Sequence, residues 1–293
     1  MSMVAVVSAH SCGATVSSLA LTLAGTRPTL LAECGTSVGS VRTGYRVGEW
    51  GGEVGLWHLA QADRQGELAE AFEAHLRRLD RDGDRLWLPG LTDPLQAGAL
   101  AQTWEPLGLL LQTMDQHAGY DVIADCGRVV LEPGGVHPSL FPAPLLWRAD
   151  LVLLVVRNSI TSVAQTSPVV RALKTALEQH GTGVDSLRLL LVKDSAGNLS
   201  SSEIGARLQV PVVAALPWDE KAARLFTHGS DRTPKLASLT LVKQAREESR
   251  RIAADVQARR TRLGTAQARM SSPVVAGLVQ RLTAQRQGVA VRG

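Results

Sequence analysis

The chain of 293 residues carries 31 Lys and Arg against 27 Asp and Glu, and the surplus is unevenly placed: from Leu241 onward eleven basic and three acidic side chains give +8, leaving −4 over the first 240 residues. A hydrophobic share of 45% with 20% charged residues excludes a disordered chain, and the length is enough for a sizeable core. No apolar run approaches the roughly 20 residues that span a bilayer, and three cysteines in so long a chain do not make a disulfide framework, so a cytoplasmic protein is expected.

Met3 to Val7 is a continuous apolar, β-branched run, the mark of a strand covered on both faces. Val16 to Leu23 has helical period, and Thr29 to Ala32 reads as a second strand. The alternation continues with a helix over Glu67 to Leu79, a strand over Leu86 to Leu88, a helix over Leu95 to His117 and a strand over Val122 to Ala124. Strands over Leu151 to Val156, Leu187 to Val192 and Val212 to Leu216 follow, separated by helices over Ser162 to Gln179 and Ser202 to Leu208. Such spacing is too long for hairpins and predicts a doubly wound α/β fold, a mostly parallel sheet of about seven strands with right-handed crossovers.

The pattern changes after Asp231, which divides the chain into a body of residues 1–232 and a basic helical extension of residues 233–293. Thr233 and Pro234 form a helix start, the helix runs to about Leu263, and Gly264 is a stop. A second helix from Pro273 to Gln287 places Val274, Val275, Leu278, Val279 and Leu282 on one face.

Ligands of doubly wound sheets bind beyond the carboxyl ends of the strands. There the first strand runs into Ala9-His10-Ser11-Cys12-Gly13-Ala14-Thr15-Val16, a small-residue turn that opens a helix. Unpaired amides of a first helical turn favour an anion, so this is a candidate phosphate cradle. The second strand ends in Glu33-Cys34-Gly35, and the fourth in Asp125-Cys126-Gly127, an acidic residue where a metal-bound phosphate would need one.

In the order and spacing of these motifs the chain resembles the ParA/MinD family of P-loop ATPases, of the SIMIBI class, and within it the divergent actinobacterial MinD-like proteins. The resemblance covers Met3 to Gly229 and includes "LWLPGL", "YDVIADCGR", "ADLVLLVVRNSITSVAQT" and "EIGARLQVPVVAALPWDEKAARLFTHG". It implies ATP and Mg²⁺ as cofactors, bound by Ser11, Cys12, Gly13, Ala14, Thr15, Val16, Glu33, Asp125 and Pro217, with Thr15 and Asp125 at the metal. The family's deviant Walker A sequence has a signature Lys, two Gly, any residue, Gly, a second Lys and Thr. Here Ala9 and Ala14 stand in place of the lysines, His10 and Ser11 in place of the first two glycines, while Gly13 and Thr15 match. In the switch after the second strand, Glu33 replaces the first Asp and Gly35 the second.

Charged groups supply much of the catalysis of phosphoryl transfer. A loop without lysine therefore implies weak or vestigial nucleotide binding and little hydrolysis, in a positioning or scaffolding factor that works through a protein partner. A slow ATPase for DNA partitioning or localisation, and an adaptor of a pilus or secretion system, are the alternatives. Ala9 cannot reach across a nucleotide sandwich, so any homodimer would rest on other contacts. The basic tail reads as a solvated helical face, a nonspecific DNA contact or a membrane- or protein-docking element. Cys12, Cys34 and Cys126 all fall at strand ends beside His10, as a zinc set or simply as small residues near the loop.

Overall fold

The computed structural model describes residues 2–47, 49, 51–80, 82–181, 183–229 and 236–263. In chain order, β1 (Met3–Ser8) passes through a tight loop into α1 (Ala14–Ala24) and β2 (Thr29–Glu33). A π-helical turn (Val41–Tyr45), α2 (Leu56–Arg64), α3 (Leu68–Phe72), β3 (Arg77–Arg78), β4 (Arg85–Leu88) and α4 (Trp104–Gln116) follow. Then come β5 (Asp121–Arg128), a small hairpin of β6 (Leu131–Glu132) and β7 (Gly135–Val136), α5 (Ala143–Arg148), β8 (Leu151–Arg157) and α6 (Ile160–His180). The described chain closes with β9 (Leu187–Lys193), α7 (Ser201–Leu208), β10 (Val212–Pro217), α8 (Glu220–His228) and α9 (Thr240–Leu263).

The central sheet has the order β10-β9-β8-β1-β5-β2-β4-β3. Its first seven strands are the seven apolar runs of the sequence, and they pair in parallel. Side chains alternate between two cores. Met3, Ala5 and Val7 of β1 join one with α4, α5 and α6, whereas Val4 and Val6 join the other with α1, α8 and α9. Helices on both faces explain why the strands read as unbroken apolar runs.

Two predicted helices take another form. Glu67 to Leu79 is helical only to Phe72, followed by a 3-10 turn, because Arg77 and Arg78 are drawn into an antiparallel edge strand against Trp87 and Leu86. The hairpin closes on Asp80, whose Oδ1 accepts from the amides of Gly83 (2.8 Å) and Arg85 (3.2 Å). Leu95 to His117 is broken into a 3-10 helix over Pro94–Leu100, capped by Asp93, and α4. Pro106 lacks the N–H that a helix interior requires, so α4 must begin within a turn of it.

Helix α9 lies on the sheet. Leu241, Val242, Ala245, Ile252 and Val256 share the core of Val4, Leu151 and Leu153. Its far end is held by charge: Arg259 meets Asp185 at 3.0 Å, Arg260 meets Asp115 and Asp150 at 2.6 Å each, and Asp255 receives Arg188 at 2.7 Å. Part of the basic excess is thus neutralised by acids of the body. The predicted start at Thr233-Pro234, the stop at Gly264 and the second helix over 273–287 lie outside the described residues. Among the described residues no helix is long and apolar enough to cross a membrane.

Candidate functional site

The sequence of the sheet places β1 between β5 and β8, where the winding direction reverses, and the loop Ala9–Gly13 leaves β1 at this switch point. Gly13 stands immediately before α1 at φ +94°, a left-handed conformation that an L side chain resists. No side chain caps the helix and its first turn holds no acid, so the leading amides face the loop without a protein partner in the cap position.

Beneath this turn Thr15 stands near the Asp125 carboxylate, which accepts from the Gly127 amide at 3.1 Å. Asp125 is 3% exposed. Burial pushes its carboxyl up, and the nearby Thr15 hydroxyl and the Gly127 amide oppose that rise. A hydroxyl and a carboxylate brought together under a helix N-terminus suit the usual Mg²⁺ donor set, in which few protein oxygens are supplemented by water and phosphate. Thr15 and Asp125 are therefore the residues here that could hold a metal ion with water and an anion completing its shell.

The other residues marked by the sequence divide into two groups. Ser11, Gly13, Val16 and Pro217 line a cavity of about 360 Å³ between the loop, the ends of β9 and β10, and α8. Cys12, Ala14 and Glu33 turn away from it. Ala14 is buried in the first turn of α1. The Cys12 thiol donates to the carbonyl of Val155 at 3.0 Å, and burial pushes it up to about 11, so it is a neutral group that ties the loop to β8. Glu33 is the clearest correction to a ligand-binding expectation. Its Oε1 accepts from Val41 N (2.9 Å), and its Oε2 accepts from Trp87 Nε1 (2.8 Å) and Gly90 N (3.3 Å). Those donors occupy both oxygens, and the carboxylate serves as an internal tie between β2, β4 and the turn at Val41.

Cys12 packs on one face of the sheet, and Cys34 and Cys126 on the other. Among the described residues no group of three or more His, Cys, Asp or Glu is placed to hold a metal ion. His10 Nε2 lies 3.0 Å from Ser162 Oγ, which accepts from the Arg157 amide at the same distance. Burial, followed by the positive charges of Arg157 and Arg128, lowers its pKa.

Three residues at this site escaped the sequence reading. Arg157 and Trp218 line the cavity, with the Arg157 guanidinium carbon 4.4 Å from the ring centre of Trp218. Asn158 bridges the ends of β8 and β9: its Oδ1 accepts from Asp194 N (2.8 Å) and its Nδ2 donates to Asp194 O (3.1 Å). The available signal for Arg157 was its position, a charged residue directly after an apolar strand, at the end of the sheet where ligands bind.

By fold the chain is similar to a ParA family ATPase from Chlorobium tepidum, with a TM-score of 0.64 at 13% identity over 85% of this chain and 99% of the other. The chain has the fold of the ParA/MinD-like P-loop ATPases. The septum site-determining protein MinD of Pyrococcus horikoshii, solved with Mg-ADP, gives a TM-score of 0.59 at 16% identity over 87% and 99% of the two chains. An ATP complex of a substituted McdA from Cyanothece gives 0.57 at 15% identity over 92% and 99%. No family model matches the chain, and no curated protein matches it by sequence.

Proposed function

We propose that the chain is a positioning or scaffolding factor on a ParA/MinD-like fold, which holds a Mg²⁺-nucleotide weakly, hydrolyses it little and acts through a protein partner. The observation that carries this reading is the nearness of Thr15 and Asp125 under the Gly13 turn, in a loop that has Ala9 and Ala14 at the lysine positions. The metal side of a nucleotide site is kept while the charges that stabilise a transferring phosphoryl group are absent from the loop. The Mg-ADP and ATP complexes among the similar structures support the ligand class. Similarity to the MinC:MinD cell division protein complex of Aquifex aeolicus supports a partner protein; its TM-score is 0.54 at 14% identity over 92% and 98% of the chains.

Phosphate release from Mg-ATP tests the chemistry. Release by the intact chain is expected to equal that of Asp125→Ala; turnover that the substitution abolishes would instead establish a slow ATPase. Imaging a fluorescent fusion tests the positioning role. A patterned distribution is expected, and a uniform one overturns the reading. Because α9 belongs to the core, the tail is removed after Leu263 rather than after Asp231. Loss of the pattern in residues 1–263 would assign targeting to the tail, and purified nucleoid DNA and anionic vesicles then distinguish its partner from a protein.

A further inference from the structure

The two strands that flank β1 each end in an arginine. Ser8, the last residue of β1, is in register with Arg128 on β5 and with Val155 on β8, two residues before Arg157. Both residues therefore stand at strand ends beside the loop that carries no lysine, and the positive charge of each acts on His10 of that loop. Among the described residues neither takes part in an ion pair.

Arg157 is the more constrained of the two. It lies against the face of Trp218, and its Nε is buried without an acceptor. Stacking on an aromatic ring fixes the plane of a guanidinium while leaving its N–H edge free. A half-buried cation with no counter-ion pays a desolvation cost that a ligand anion would offset. The same side chain lines the cavity that Ser11 and Gly13 border, so such an anion would meet both Arg157 and the loop. Burial and the charges of these two arginines disfavour the protonated form of His10, so the arginines are the charged groups beside the loop.

We propose that Arg157, assisted by Arg128 and positioned by Trp218, is the phosphate-binding cation of this site, replacing the missing loop lysines, and that the ligand group is a di- or triphosphate. The assignment rests on the reading that the loop still receives a nucleotide. It also separates binding from turnover: a planar fork stacked on a ring grips oxygens at fixed geometry and is not carried by the loop itself.

Titration calorimetry on the full chain tests this, with Mg-ATP and, separately, inorganic tripolyphosphate at low salt. Both are expected to bind. Arg157→Ala should weaken both by about tenfold or more, the loss of a charge-assisted contact, Arg157→Lys should recover part of the loss, and Arg207→Ala on α7 should change neither. Equal melting temperatures of the variants confirm that the fold is intact. If Arg157→Ala binds ATP as the unaltered chain does while Thr15→Val weakens it, the arginine assignment fails and the nucleotide reading stands. If neither ligand binds the unaltered chain, both fail.

Discussion

Arg260 grips Asp150 with two parallel bonds, Nε to Oδ1 and Nη2 to Oδ2, each 2.6 Å long. Asp150 Oδ2 also accepts from the Met3 amide at 2.9 Å, so one carboxylate joins the end of α9 to the starts of β8 and β1. The same guanidinium reaches Asp115 at 2.6 Å. The charge split of the sequence is therefore in part internal: an arginine of the basic segment is the counter-ion of two acids in the body.

Arg260→Ala would leave Asp115, which is fully buried, without that counter-charge. A loss of about 3 kcal/mol is expected in urea denaturation, the lower end of the cost of an uncompensated buried charge. Arg260→Lys should recover only part, because an ammonium cannot form the parallel pair. Arg262→Ala, on an exposed stretch of the same helix, is expected to have no measurable effect.

Truncation separates core from tail. Removing everything after Leu239 strips Leu241, Val242, Ile252 and Val256 from their core. At about 1.5–3 kcal/mol for each buried side chain the loss is comparable with the whole stability of an ordinary domain. That truncation is expected not to fold by circular dichroism, whereas residues 1–263 should melt as the full chain does.

The Thr15–Asp125 pair predicts how a metal couples to ligand. ATP affinity measured with and without Mg²⁺ should differ in the unaltered chain, and Asp125→Asn or Thr15→Val should abolish that difference. An Mg²⁺ effect that survives both substitutions would place the metal elsewhere.

Glu33 gives a pH dependence. Burial pushes it up to about 7, against the three donors that favour its anion, and burial also holds Asp115 at about 6. Between the ordinary carboxyl value of about 4 and these values, the folded chain keeps protons that the unfolded chain has released. Stability should therefore fall as pH rises through that window. Melting temperatures are expected to be lower at pH 7.5 than at pH 5, and the slope should flatten in Glu33→Gln. The substitution should also lower the melting temperature at pH 5, since its amide N–H₂ would face N–H donors.

What the chain alone determined is the sheet. Runs such as Leu151–Val156 are apolar at every position, as suits a strand covered on both faces, and their spacing is too long for hairpins. The turn was also legible, since Gly13 before a helical period marks one, whereas Thr15 was marked only through the family resemblance, and its nearness to Asp125 is a product of the fold. Local period failed at Glu67–Leu79 and Leu95–His117, where pairing with β4 and the missing N–H of Pro106 outweighed it. The roles of charged side chains were decided only by tertiary structure. Nothing near Glu33 in sequence predicts that Trp87 and Gly90 will occupy its oxygens, and nothing near Arg260 predicts Asp115. The reason is physical: a burial pattern is repeated along a segment and can be read there, but a charge is defined by the groups that the fold brings against it.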